Sequence, residues 1–494
     1  MPWKKHLNWY VPSLFNLNAP HIPWIALAVI IMVNICALGA GFSLMIVNSI
    51  VKTDLGIGAQ ENMWLNVSFF LLMAATVPIA NWLADYYGRK RLFFIGTFIF
   101  FISAFFTGFA YSFPVMILCR GLSAIGAGTI IPLSIALIES VFEARFRAIA
   151  VVIFVGVAFG VGTVGGVYAG GVAAESWRLL FSAQIIFAPF VLFATWVLLY
   201  ETERKQHRSF DFPGVVFYLV MIASGVSFMA NVRAPWNPEG FHSLASQVTL
   251  GLFVLSTILF IIRELRARDP LLDVRLLRIR SFFLANAALI VISFTNVSTV
   301  TSLTKVLESD LNFSIYETAL YQIPFGLALG IFGSLSGLLT RSVGVKILAI
   351  TGMVLVAISC FLNQLITVHT GYAEFAWVQA IRGAGLGFSI GPLTAYSFKK
   401  IERGSFGQAA VIVTLVRQLG VALGPLFIDL VEEIRQPILL QQLGGGSGTN
   451  IQANILAINE AYIILGWTIG VVLIPITLLM IYGWSVERRK MKAM

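Results

Sequence analysis

The sequence predicts an all-α polytopic membrane protein, and three observations carry that prediction. Hydrophobic residues make up 58% of the 494-residue chain and its mean hydropathy is +0.87, more apolar surface than a soluble fold could cover with the polar residues left. Runs of about 20 apolar residues, each long enough to cross a ~30 Å hydrocarbon layer as a helix, recur along the whole length. Only 11% of residues are charged, and those collect between the runs, as in "NWLADYYGRKRLFFIG" (81–96), where Asp85, Arg89, Lys90 and Arg91 fall within seven positions.

Fourteen spans are predicted, at 22–46, 62–84, 92–111, 115–141, 148–171, 179–200, 212–231, 247–262, 282–304, 317–339, 347–367, 375–398, 407–428 and 459–483. The first run is too long for the apolar core of a signal peptide, so a retained first span is expected after a polar tail at 1–21. The remaining layout is a six-helix bundle at 22–200, an inserted helix pair at 212–262, a linker at 263–281, a second six-helix bundle at 282–483 and a tail at 484–494. "RELRARDPLLDVRLLRIRS" in the linker carries six arginines and reads as an amphipathic segment along the headgroups. "QQLGGGSGTN" (441–450) reads as a passive flexible connection.

Lysine and arginine set the orientation. With the N-terminus inside, the cytoplasmic segments hold 25 of the 33 basic residues, external loops hold Lys52, Arg178, Arg233, Lys305 and Arg435, and Arg120, Arg382 and Arg417 lie within spans. Both termini are therefore expected in the cytoplasm. The net charge of +10 is the product of this asymmetry and implies no nucleic-acid partner. Cys36, Cys119 and Cys360 all fall in apolar runs and read as small packing residues. No histidine has a partner at metal-ligand spacing, so no metal and no cofactor is expected.

Three stretches of the first half recur in the second in the same order. "LADYYGRKRLFFIG" (83–96) aligns with "LTRSVGVKILAITG" (339–352), "RGLSAIGAG" (120–128) with "RGAGLGFS" (382–389), and "GVAFG" (156–160) with "GVALG" (420–424). Two related six-helix bundles facing each other are the plan of alternating-access carriers, with substrate held between them near the midplane.

On these residues the sequence resembles the major facilitator superfamily, and within it the fourteen-span drug:proton antiporter branch. "NWLADYYGRKR" is similar to the loop G-x-L-A-D-R-x-G-R-K/R-R, with Asn81 and Tyr86 replacing glycine and arginine. "RGLSAIGAG" is similar to R-x-x-Q-G-x-G-x-G in span 4, and "VGTVGG" (161–166) to the span-5 antiporter motif, with Gly162 in place of proline. "SWRLLF" (176–181), "DFPG" (211–214), "PLLDVRLLRIRSF" (270–282), "RGAGLG" (382–387) and "VRQLGVALGP" (416–425) favour the fourteen-span branch. The resemblance implies an exporter of small organic compounds of the multidrug efflux type, coupled to protons by antiport. It places the chain in a bacterial inner membrane, working as a monomer. Some relatives use a periplasmic adaptor, which nothing in this chain reveals.

The resemblance implies a cytoplasmic latch between the bundles at Asp85, Gly88 and Arg89, with Lys90 and Arg91 also holding the loop inside; a topology anchor alone is the alternative. Arg120, Arg382 and Arg417 would be costly as bare charges at membrane depth, so each must face an aqueous cavity or bond to neighbouring groups. The resemblance implies proton relay or substrate contact for Arg120, whereas a carbonyl-bonded lock between helices is the other reading of Arg382 and Arg417. Asn34, Gly41 and Asn48 share one face of span 1, and Asn286, Ser293 and Thr304, with Asn296 slightly off it, form a similar stripe in span 9. Lining the substrate path and bridging helices both fit these side chains, and Gln184, Gln322 and Gln379 are weaker candidates. Gly156, Gly160, Gly165, Gly166, Gly420, Gly424 and Pro425 read as packing surfaces between the bundles. No strand precedes any of these glycines, which excludes a nucleotide loop.

One departure bears on coupling. Drug antiporters of this branch carry an aspartate in a span-1 run L-D-x-T-I-V-N. Here that run is "FSLMIVNS" with Ser43 at the acidic position, and serine can neither carry a proton at accessible pH nor balance a cation. None of the 23 acidic residues falls at the centre of a predicted span; Glu139, Glu317, Asp429 and Glu460 come nearest, and Glu139 is the substitute proton carrier considered first. Export or facilitated passage of a neutral or anionic, siderophore-like metabolite is the alternative. A membrane enzyme would need a catalytic constellation at membrane depth, and a non-transporting sensor would be expected to carry an added signalling domain.

Overall fold

The computed structural model describes residues 22–172, 176–199, 211–232, 237, 239–340, 342–365, 367, 370–402, 405–444 and 449–492. The expected N-terminal tail and the centre of the glycine-rich connection lie outside them. Helices occupy every predicted segment: α1 Ile22–Asp54, α2 Ala59–Tyr87, α3 Arg89–Thr107, α4 Phe113–Val141, α5 Ala144–Val172 and α6 Trp177–Leu198, whose middle, Ala183–Phe187, winds as a 3₁₀ turn. An inserted hairpin follows, α7 Phe212–Val232 and α8 Leu244–Arg266. The second half is α9 Arg280–Lys305, α10 Ile315–Leu339, α11 Val345–Asn363, α12 Tyr372–Ser397, α13 Phe406–Gln442 and α14 Thr449–Lys492.

Among the described residues, twelve helices are long and apolar enough to cross a membrane. The shorter apolar stretch Phe212–Phe228 of α7 is not one of them, nor is α12. The polarity of α12 has a structural reason. Gln379, Arg382, four glycines, Ser389 and Thr394 are buried in the bundle, and a helix wrapped by its neighbours need not be apolar on every face.

The internal duplication is visible in backbone geometry. Gly88, in the turn from α2 to α3, has φ 105°, and Gly344, in the turn from α10 to α11, has φ 88°. Both lie in the left-handed region where only glycine is unstrained, so the repeated loop needs glycine at matching positions. Close glycine contacts repeat too. A Cβ on Gly96 of α3 would stand 3.5 Å from the Gly126 carbonyl of α4, and one on Gly352 of α11 would stand 2.6 Å from the Gly385 carbonyl of α12.

The two halves meet along α5 and α10, which run antiparallel and approach backbone to backbone at paired glycines. A Cβ on Gly156 would lie 2.6 Å from the carbonyl carbon of Gly333, and one on Gly160 would lie 3.0 Å from the Cα of Gly330. In lipid, where apolar transfer between helices gains nothing, such backbone proximity supplies the dispersion contacts that hold two helices together. Phe42 packs with Val297 and Ala319 at a second crossing between the halves.

The remaining glycines of the predicted interbundle surface pack otherwise. Gly166 presses on Gly39 of α1 within the first half, with a hypothetical Cβ 2.6 Å from the Gly39 carbonyl. Gly420 and Gly424 press on Ile290, Phe294 and Ser298 of α9 within the second half, and Gly165 has nothing within 4 Å of a Cβ. Pro425 lies inside α13 beside Gly424. A four-residue spacing of small side chains suits any close helix pair, so it does not reveal which pair is meant. In contact role Gly420 and Gly424 match Gly162 and Gly166, 258 residues earlier, a register different from the one their "GVALG" sequence suggests.

Two other boundaries differ from expectation. The linker does not simply lie along the headgroups. Leu271, Leu272 and Leu276 are buried in the main core, while Arg266, Arg268, Arg275, Arg278 and Arg280 stay exposed. α13 continues well past its predicted end at 428, because the acids beyond it pair with helical neighbours instead of entering a loop.

Candidate functional site

The α2–α3 turn lies where the halves meet at the basic end. Asp85 is buried, 5% exposed, in the last turn of α2, and its carboxylate stands 3.9 Å from the Arg89 guanidinium. Arg89 Nη1 donates to the carbonyl of Ala136 in α4 at 3.4 Å. A Cβ on Gly407, in the first turn of α13, would lie 2.9 Å from Arg89 Nη2 and 3.0 Å from Asn81 Oδ1. The turn of the first half thus abuts the start of a second-half helix. Lys90 Nζ donates to the Trp196 carbonyl of α6, while Arg91 is exposed on the first turn of α3. Beside this contact a cavity of about 240 Å³ opens between the halves, lined by Ile135, Arg147 and Val151 on one side and Phe398, Lys399 and Phe406 on the other.

Deeper in the bundles the arginines form a matched pair. Arg120, 1% exposed, lies over the ring of Phe69 at 4.2 Å, and its Nη1 donates to the carbonyl of Ala40 at 3.0 Å. Arg382, 0% exposed, lies over Phe325 at 4.0 Å. Phe325 follows Phe69 by 256 residues, the offset of the duplicated loop, so each half repeats one cation–π unit. Arg120 Nε and Nη2, and all three nitrogens of Arg382, have no hydrogen-bond acceptor among the described residues. The contacts of Arg120 (Ala40, Phe69 and Phe181) belong to the first half, and Phe325 belongs to the second, as does Arg382 itself. Arg417 is buried in α13 beside buried Gln418.

The described contacts of the polar stripes and glutamines are partly within a helix and partly between helices. Asn34 Nδ2 donates to the Ile30 carbonyl and to Ser134 Oγ of α4 at 2.7 Å, Asn286 Nδ2 donates to the Phe282 carbonyl, and Ser293 packs against Gly420. Gln322 Nε2 donates to Thr304 Oγ1, and Gln379 Nε2 to Asn363 Oδ1. Asn48 Oδ1 and Asn296 Oδ1 are buried without a donor among the described residues. Ser43, at the family's acidic position, is 1% exposed and donates to the Ala40 carbonyl at 3.5 Å, the same carbonyl that receives Arg120. The side chain of Glu139 lies outside the described residues.

At the opposite end Arg178, Lys305 and Arg435 are each paired with a carboxylate. Arg178 binds Asp54 and donates to the Ala110 carbonyl, tying α6 to the ends of α1 and α3, and Trp177 Nε1 donates to the same carboxylate at 3.1 Å. This gives "SWRLLF" a physical role. The Arg178 hydrogen bond holds the Asp54 carboxyl below its ordinary range, with burial opposing it and the Trp177 bond adding. A depressed folded-state value means stabilisation that is present above the unfolded value near pH ~4 and fades as pH falls through the folded one. The Asp54 side chain is 42% exposed, so solvent screening keeps the pair within about 1 kcal/mol. The melting-temperature difference between parent and Asp54→Ala is therefore expected to be present at pH 6 and to shrink toward pH 3.

Lys305, Asp429, Arg435 and Glu460 stand out singly in the sequence, and the structure pairs them with one another and with Glu432. Lys305 Nζ donates to Asp429 at 2.6 Å and to Glu432 at 2.7 Å, Asp310 accepts from Asn454 Nδ2, and Arg435 binds Glu460. Burial pushes the Asp310 carboxyl up, opposed by Asn454 and Lys305. The spacing of Asp429, Glu432 and Glu433 was the available signal, since residues three and four apart share a helix face.

The chain and its helical fold are similar to known proteins. The chain is 26% identical over 377 residues to the multidrug resistance protein Stp of Mycobacterium tuberculosis (strain CDC 1551 / Oshkosh), covering 76% of this chain and 69% of that one. It is 27% identical over 418 residues to a probable actinorhodin transporter of Streptomyces coelicolor (strain ATCC BAA-471 / A3(2) / M145), covering 81% and 71%. Its fold is similar to the crystal structure of the human organic anion transporter MFSD10, with TM-score 0.61 at 15% identity, covering 90% of this chain and 99% of that one. The Major Facilitator Superfamily profile matches residues 29–425, and this multi-pass membrane transporter belongs to that superfamily.

Proposed function

We propose that the protein exports small organic compounds by alternating access, with the two halves rocking about the α5–α10 seam and the Asp85–Arg89 turn latching the basic end. The observation that carries this reading is the seam itself, where Gly156 meets Gly333 and Gly160 meets Gly330 backbone to backbone, a smooth contact along which rigid bundles can roll. Similarity to a multidrug resistance protein and to a probable actinorhodin transporter supports the substrate class. In this reading α7 and α12 cross the bilayer as well, making fourteen spans. The arginine-rich linker and both termini face the cytoplasm across a bacterial inner membrane, and the protein works as a monomer.

Proton antiport is the driving mode proposed, and its test is direct. Purified protein in proteoliposomes is expected to transport faster when an inward-directed proton gradient opposes the substrate flux; a rate indifferent to that gradient removes antiport. Ser43 favours a second reading for cargo. A buried hydroxyl where relatives carry a carboxylate, together with buried Arg120, Arg382 and Arg417, disfavours lipophilic cations and suits neutral or anionic compounds. A thermal-stabilisation screen across cations, neutral compounds and organic anions separates the two, because a ligand that binds the native state raises its apparent stability.

A further inference from the structure

We propose that Gln408 is a positioning residue of the basic-end gate, which it fastens to a strap made of the inserted helix pair and its linker; this rests on the alternating-access reading above. The strap has one foot on the first half. Tyr218 of α7 is fully buried, and its hydroxyl donates to the Ala74 carbonyl of α2 at 2.7 Å. Within the hairpin, the Tyr218 ring lies 5.5 Å from the ring of Phe260 on α8, so the two inserted helices share that foothold.

At the basic end the hairpin is closed by charge. Asp211 Oδ1 accepts from the backbone of Gly214 at 3.1 Å and from Arg263 Nε of α8 at 2.8 Å, which gives "DFPG" its purpose. Glu264 Oε2 then receives the backbone N–H of Leu272 at 3.0 Å, turning the chain from α8 into the linker. Arg275 Nη2 donates back to the carbonyls of Leu265 and Ala267, which stiffens that turn.

The second foot stands on the other half. The backbone N–H of Asp273 donates to Gln408 Oε1 at 3.2 Å, and Gln408 Nε2 donates to the Pro270 carbonyl at 3.5 Å. One primary amide thus engages linker backbone on both sides of a turn, using both its donor and its acceptor. Gln408 directly follows Gly407, the residue on which Arg89 and Asn81 rest. The strap therefore reaches from α2 of the first half to the first turn of α13, beside the latch. Separating the halves at this end must either break the Gln408 bonds or carry the linker away from the hairpin that holds it.

Two neutral hydrogen bonds set the scale of the effect, and losing both should raise the population open at the basic end roughly tenfold. The test is a distance measurement by pulsed electron resonance on full-length protein in nanodiscs, with spin labels at the exposed positions Arg145 of the first half and Glu402 of the second. Gln408→Ala is expected to move the distribution to longer distances. Gln408→Glu, which keeps the acceptor for Asp273 and loses the donor to Pro270, is expected to fall between Ala and parent. Transport should show the shift chiefly in KM, with kcat little changed, where general misfolding would lower the active fraction. If Asp85→Asn lengthens the distance while Gln408→Ala matches the parent, the strap is wrong and alternating access stands. If no variant and no change of bulk pH changes the distance, the alternating-access reading falls and the strap falls with it.

Discussion

Leucine in place of Gly156 is expected to reduce transport at least tenfold and to lower the melting temperature, because the side chain has nowhere to go. A Cβ there would stand 2.6 Å, 2.8 Å and 2.8 Å from the carbonyl carbon, Cα and carbonyl oxygen of Gly333, all backbone atoms that no rotamer change can move. The reciprocal Cβ on Gly333 would be 2.7 Å from the Gly156 Cα, so the clash is a property of the helix pair. Even alanine requires α5 and α10 to part by about an ångström, and overpacking of this kind costs ~1–3 kcal/mol. Leucine must separate them further and would roughen the surface along which the halves roll. Gly165 supplies the control, since a Cβ there meets nothing within 4 Å. Gly165→Ala should transport as the parent does. Proteoliposome flux with a thermal melt on the same preparations checks both, and full transport by Gly156→Leu would show that the seam is not the rolling contact.

The second large effect concerns Arg382. Its guanidinium is fully buried against Phe325, and none of its nitrogens has a described hydrogen-bond acceptor. A buried charge without a hydrogen-bonded partner is costly to desolvate, and an apolar side chain of similar volume removes that cost. Arg382→Met is accordingly expected to melt no lower than the parent, and to transport at least tenfold more slowly if the charge serves the cargo or coupling ion. Arg120→Met differs in one respect: it also deletes the bond to the Ala40 carbonyl, so its melting temperature should fall relative to Arg382→Met. Stability gained with transport intact would make Arg382 a packing residue.

Much of the architecture was legible because apolar runs and glycine-marked turns are local signals. Gly88 and Gly344 could be aligned from sequence, and their shared left-handed backbone shows why the loop is duplicated. Partner choice was not legible. Gly156 and Gly166 look alike in sequence, yet one faces the other half and the other faces its own α1. In sequence, charges near predicted helix ends read as loop residues. Asp429 and Glu432 stay helical because Lys305, over a hundred residues away, supplies the counter-charge, and no local pattern records that. Gln408 escaped notice for a related reason: its partners are backbone atoms of a linker remote in sequence. At the candidate site the basic turn and the arginines could be named in advance, whereas the Phe69 and Phe325 rings beneath them could not be told from the chain's other phenylalanines.

The length of α13 carries a mechanical consequence. Its 37 residues run from Phe406 at the gate to Gln442 at the other end, ~55 Å of helix at 1.5 Å per residue with Pro425 and Pro437 inside it. Leu439 packs on Ala453 and Ala457 of α14, so the far tip is braced against a neighbour. A tilt of ~10° about its middle would swing each end by ~5 Å in opposite senses. In the alternating-access reading proposed above, the far tip of such a lever would register what the gate does at its other end.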